Sequence, residues 1–128
     1  MESFLYIILA FVGFIIFMQV FVRISTYFKK GKELTDISGE LGKKINTGEK
    51  LLVYFFSPSC GACRPVTPII DNMKKEKSNV YKIDVSQKPE ISRGFGVMGT
   101  PATIVVENKK ISQYILGAKT ESFIRKLI

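Results

Sequence analysis

The run Leu51-Leu52-Val53-Tyr54-Phe55-Phe56 stops at Ser57-Pro58-Ser59 and is followed at once by Cys60-Gly61-Ala62-Cys63. No other stretch limits the fold so tightly. Consecutive apolar and aromatic side chains leave no polar face, which predicts a strand over 50–56 covered on both sides and central in a sheet. Ser-Pro-Ser is a turn signal. Beyond it Val66, Ile69, Ile70 and Met73 keep helical spacing, which predicts a helix opening at the Cys-x-x-Cys and kinked at Pro68.

Cys60 and Cys63 are the only cysteines of the chain, so any thiol chemistry happens here. The first turn of a helix carries unpaired N–H groups and the positive end of the macrodipole. A cysteine placed there has a stabilised thiolate and a lowered pKa, and becomes a nucleophile near neutral pH. A second cysteine one turn on can attack the resulting mixed disulfide and release the partner. Other readings stay open but fit less well. A structural disulfide closing so short a loop constrains the unfolded chain little. A tetrahedral zinc site needs about four ligands, and with no His in the chain Asp or Glu would have to complete it. Haem attachment needs His directly after the second Cys, where Arg64 stands. A dithiol redox site is the favoured reading, with no cofactor and no metal.

Elsewhere the pattern alternates. Leu34, Ile37, Leu41 and Ile45 recur at intervals of three and four, predicting an amphipathic helix capped by Asp36 or Ser38 and weakened by Gly39 and Gly42. A second strand is expected over 79–85, a short helix or turn over 88–95, and strands over 102–107 and 110–116 joined by a tight Asn108-Lys109 turn. Thr120 should cap a last helix with Phe123, Ile124, Leu127 and Ile128 on one face. The order α-β-α-β-α-β-β-α implies a right-handed parallel crossover and a mixed four-stranded sheet flanked by helices, an α/β class.

Before all of this, residues 4–22 run for about 19 positions without a charge, with Gln19 the one strongly polar side chain. At 1.5 Å per residue that is roughly 28 Å, close to the ~30 Å hydrocarbon core of a bilayer. Apolar residues occupy every face, unlike a half-exposed soluble helix. Met1-Glu2-Ser3 lacks the basic start of a signal peptide and no small-residue cleavage site follows, so residues 1–32 read as a retained anchor with a basic linker. Residues 33–128 read as the folded domain. Arg23, Lys29, Lys30 and Lys32 after the span predict a cytoplasmic domain by the positive-inside rule. The chain carries a net charge of +8, of which +5 lies in residues 33–128 (15 Lys and Arg against 10 Asp and Glu). No basic stripe is interleaved with stacking aromatics, which argues against nucleic acid as a partner. Anionic lipid head groups are the simpler use of the linker charges.

Taken together, the strand-to-CGAC turn, Pro68 in the following helix, Thr100-Pro101 about 40 residues further on, and Leu116-Gly117 before the last helix resemble the thioredoxin family over nearly all of the soluble part. The resemblance implies a thioredoxin-like fold in which Pro101 is cis and lies against the dithiol. It also implies that the backbone of Thr100 pairs with an extended substrate. Membrane-tethered bacterial members usually face the oxidising side, which is the alternative to the cytoplasmic placement.

Three positions depart from that pattern. Tyr54 stands where many members bury an Asp that relays protons to the second cysteine, Ser59 replaces a Trp, and Ala62 replaces a Pro. A phenol with a pKa near 10 is a poor base at neutral pH, so Tyr54 is expected either to orient a water or donate a hydrogen bond to the Cys63 sulfur, or to serve as core filler. Tyr54→Asp is expected to cost about 1–3 kcal/mol as a poorly paired buried polar group. The family's first strand is expected to be missing or very short.

The function expected from these residues is a membrane-anchored thiol–disulfide oxidoreductase that reduces protein disulfides. Cys60 attacks, Cys63 resolves, Thr100 and Pro101 shape the substrate groove, and an unidentified donor supplies electrons. The alternatives are a Cu(I)-handling CxxC module and a non-catalytic tether that only binds proteins.

Overall fold

Alternation along one strand organises the fold. In β1 (Leu51–Phe56) the residues Leu51, Val53 and Phe55 enter one hydrophobic cluster, while Leu52 and Tyr54 enter another. A strand sends successive side chains to opposite faces, so a strand apolar throughout needs a layer on each side. The computed structural model describes residues 1–29, 31–34 and 37–128, with the side chains of Thr26, Phe28 and Lys29 outside the description. In it β1 pairs with β2 (Val80–Asp84) in parallel and with β3 (Ala102–Glu107) antiparallel, and β3 continues to β4 (Lys110–Leu116), giving the order β2-β1-β3-β4. This is the mixed four-stranded sheet expected from the sequence.

The helices divide between the faces. The first cluster contains Leu41 and Ile45 from α2 (Gly39–Asn46) and Ile91 and Phe95 from α4 (Pro89–Phe95), with the Phe95 ring 5.1 Å from that of Phe55. The second contains Ile70 and Met73 from α3 (Thr67–Glu76) and Ile124 from α5 (Glu121–Arg125). Arg125 joins α5 to α3 through Glu76 at 2.7 Å and to Glu121 at 2.8 Å.

Several local expectations need correction. The helical spacing from Leu34 does not start a helix there. Leu34 is buried in a stretch held to the β4 edge, by Leu34 N donating to Lys109 O at 2.9 Å and by an isolated bridge between Glu33 and Lys110. Gly31 N also donates to Ile111 O at 2.7 Å and Ile111 N to Lys32 O at 3.0 Å, so the described residues 31–34 run along the β4 edge. Gly39 and Gly42 do not simply weaken α2. Gly39 takes φ +81°, a turn that L side chains resist, and a Cβ at Gly42 would strike the carbonyl of Ile37. Ser38 occupies the N-cap without a side-chain capping bond, and Asp36 lies outside the described residues. Thr120 does cap α5, accepting from Phe123 N at 3.4 Å, but Phe123 itself is exposed rather than on the buried face, with Lys119 Nζ 5.6 Å from its ring. Among neighbours three and four apart, only those facing the sheet are covered.

α1 (Glu2–Lys29) precedes the sheet, and its stretch Glu2–Ser25 has a mean hydropathy of 2.7 and no buried residue. It is long and apolar enough to cross a membrane.

Candidate active site at the Cys60–Cys63 disulfide

The cysteines sit where the sequence puts them, just beyond the C-terminal end of the central strand, but not on an α-helix. After Phe56 a turn closes with Cys60 N donating to Ser57 O at 3.0 Å. Cys60 is extended (φ −79°, ψ 110°), and Gly61–Cys63 form one turn of 3₁₀ helix. Two prolines explain this. Pro65 and Pro68 lack N–H groups, so the bonds from 65 to 61 and from 68 to 64 cannot form. The segment is held instead by three-residue steps, from Arg64 N to Gly61 O at 3.2 Å and from Val66 N to Cys63 O at 3.1 Å. The α-helix begins at Thr67, with Pro68 in its first turn where a missing N–H is harmless; it does not kink the helix. The macrodipole of α3 therefore starts beyond both cysteines, and helix-end stabilisation of the first thiolate is weaker than the sequence suggests.

Exposure separates the two sulfurs instead. They are joined in a disulfide with Cα atoms 5.4 Å apart. Both line a cleft of about 290 Å³ with Phe56, Ser57, Pro58, Arg64, Thr67 and Pro68, but Cys63 is only 2% exposed whereas Cys60 is partly exposed. An incoming thiol or disulfide meets Cys60 first.

Thr100 and Pro101 lead into β3, the antiparallel neighbour of β1. The β1–β3 register pairs Phe55 with Ala102, the residue that follows Pro101. The Thr100–Pro101 peptide is cis and Pro101 is buried. Thr100 lines a second groove of about 340 Å³ with Ser57, Val85, Ser92, Val97, Met98 and Gly99. Ser57 belongs to both depressions, so Cys60, Cys63 and Thr100 gather around one strand end, with Pro101 next to Thr100 at the start of β3. Reading the sequence missed Ser57 as the shared ridge and the exposed Met98, which carry no motif.

Behind the disulfide, Tyr54 is fully buried and its ring stacks on Phe56 at 6.0 Å. Its hydroxyl lies 3.1 Å from Thr67 Oγ1 and 3.4 Å from Cys63 O. Thr67 donates its one hydroxyl proton to Cys63 O at 2.9 Å, so Tyr54 is the donor to Thr67. The hydroxyl proton is thus spent on Thr67, which in turn bonds the Cys63 carbonyl, and the core-filler reading of Tyr54 is the one the geometry favours. Thr67 was not singled out by sequence, although a Thr four residues after a carbonyl is a recognised back-bonding position.

Burial pushes the Tyr54 phenol above its ordinary pKa of 10.0 despite the opposing bond to Thr67. A folded pKa above the unfolded one means a stability contribution fully present below pH 10 and lost as pH rises through the folded value. Urea midpoints should fall more steeply above pH 10 for the wild type than for Tyr54→Phe. Parallel slopes would show that the hydroxyl is not buried in solution.

Comparison with known proteins agrees with this architecture. The Thioredoxin family model matches residues 32–128. Thioredoxin of Listeria monocytogenes is 31% identical over 101 residues, covering 76% of this chain and 94% of that protein. Chloroplastic thioredoxin M4 of Arabidopsis thaliana is 29% identical over 89 residues, covering 67% of this chain, which spans only 46% of it. The structure of Fasciola hepatica thioredoxin superposes with a TM-score of 0.59 at 30% identity, covering 67% of this chain and 86% of that one.

Proposed function

The chain belongs to the thioredoxin family, and from that premise we propose that it is a membrane-anchored thiol–disulfide oxidoreductase that reduces protein disulfides. The observation carrying this reading is the Cys60–Cys63 pair itself, both cysteines lining one cleft with Cys60 partly exposed and Cys63 buried. In the reduced chain the Cys60 thiolate attacks one sulfur of a client disulfide. The client's other sulfur leaves as a thiolate and takes a proton. Cys63, as thiolate, then attacks Cys60 and releases the second client thiol. Two electrons pass from the dithiol to the client, and the chain is left in the oxidised form seen here, which a donor must reduce. Thr100 and Pro101, at the neighbouring strand end, shape the groove in which the client's extended chain pairs. Turnover of a disulfide-bridged protein such as insulin with a chemical reductant tests the activity; no rate above the reductant alone would refute it.

Residues 1–32 serve as anchor and basic linker and residues 33–128 as the catalytic domain, with residues 4–22 in lipid. What supports the anchor is the length and apolarity of Glu2–Ser25 and the absence of any buried residue in it. The excess of Arg23, Lys29, Lys30 and Lys32 after the span supports a cytoplasmic domain. A membrane-impermeant thiol reagent applied to intact cells should leave Cys60 unlabelled until the membrane is opened. Labelling without permeabilisation would place the domain on the outer face, and loss from membranes at alkaline carbonate would remove the anchor.

A further inference from the structure

Phe56 is a wall of two depressions. One is the cleft at the disulfide. The other is a cavity of about 360 Å³ bounded by Lys74 on α3, by Lys82, Ile83 and Asp84 on β2, and by Gln87 and Lys88 after it. Its size falls within the ~300–1,000 Å³ typical of binding pockets. Its charge is unbalanced, with three ammonium groups against one carboxylate. Lys82 is already held, donating to Asp71 at 3.0 Å with its Nζ 4.8 Å above the Phe56 ring. Asp84 is turned to its own loop, accepting from Ser86 N at 2.9 Å and Ser86 Oγ at 2.6 Å. Among the described residues neither Lys74 nor Lys88 has an ion-pair partner, and both are exposed.

We propose that this cavity is a second subsite, which receives an acidic side chain of the client on the far side of Phe56 from the disulfide under attack. The proposal rests on the oxidoreductase reading and names its substrate class: protein disulfides flanked by Asp or Glu. Two depressions sharing one aromatic wall lie on the order of 10 Å apart, about three residues of extended chain. Exposed lysines hold a free anion weakly in water. A carboxylate already tethered through the mixed disulfide arrives at high effective concentration, so the same modest attraction suffices. This favours a side chain of the bound client over a diffusing ion.

The test uses the full chain in uncharged detergent and disulfide-bridged peptides carrying Glu, Gln or Lys three residues before or after the attacked cysteine. In one of the two positions kcat/KM should be about fivefold higher for Glu than for Gln, and lower still for Lys. The preference should shrink at ~1 M salt, where the screening length is ~3 Å. Lys74→Glu/Lys88→Glu should reverse the order while leaving the Gln peptide unchanged. Lys88→Gln, a single exposed change, should narrow the preference if the double variant folds poorly. Equal rates for Glu and Lys peptides, or an unaltered preference in the variants, would overturn the subsite. Failure of the wild type to turn over even the Gln peptide would remove the oxidoreductase reading, and the subsite with it.

Discussion

In a Cys63→Ser chain, client proteins are expected to accumulate on Cys60 as mixed disulfides that survive a non-reducing gel, while Cys60→Ser captures none. Turnover of both variants should fall to background. The asymmetry follows from access: Cys60 is partly exposed, whereas Cys63 is 2% exposed with its carbonyl bonded to Val66 N and Thr67 Oγ1. Without the second thiol, nothing in the chain can attack the mixed disulfide, since these are its only cysteines. Equal capture by the two variants would contradict the assignment of attacking and resolving roles. Because α3 starts at Thr67, this prediction rests on exposure and not on a helix dipole.

Tyr54→Asp should lower stability by about 3–5 kcal/mol, the range for deleting a large buried ring. The polar group alone accounts for only about 1–3 kcal/mol, the figure expected from sequence. The structure raises it because the ring is fully buried against Phe56, so its removal leaves a cavity as well. Burial would raise the new carboxyl's pKa, so its folded form keeps the proton longer than the unfolded one. Stability should therefore be highest below the unfolded carboxyl pKa and fall as pH rises through the folded value. Near pH 7 a carboxylate behind Cys63 should also accept its proton and speed the resolving step, seen in single-turnover reduction of a disulfide peptide. Urea unfolding at pH 5 and pH 8 checks the first expectation. An unaccelerated resolving step in a folded variant would mean that Cys63 loses its proton by another route. Tyr54→Phe keeps the ring and removes only the hydroxyl, and should cost about 0.5–1.5 kcal/mol.

The secondary structure was legible because burial has a period. β3 and β4 lie where the sequence sets them, at Ala102–Glu107 and Lys110–Leu116, and Asn108 and Lys109 between them take φ of +53° and +66°, as a two-residue hairpin turn needs. The same logic failed where local spacing met a tertiary demand. Leu34 and Ile37 extend the helical period of α2 upstream, yet Leu34 is covered by its place beside the β4 edge. Phe123 shares the spacing of Ile124 and Leu127, but the sheet leaves its side of α5 uncovered.

By itself the sequence determined that a central strand ends at a Cys-x-x-Cys, that helices cover both faces of a mixed sheet, and that thiol exchange is the chemistry these residues can do. Those properties are carried by neighbours along the chain, by apolar period, by turn residues and by the type of side chain. Only the tertiary structure decided which cysteine is the more exposed, that the Tyr54 hydroxyl is spent on Thr67 beside the Cys63 carbonyl, and that Phe56 separates the disulfide from a lysine-lined cavity. Each of these joins residues from different elements, Tyr54 with Thr67, or Phe56 with Lys74 and Lys88. The parallel β1–α3–β2 crossover brings them to one end of the sheet, and no pattern along the chain records which side chains meet there.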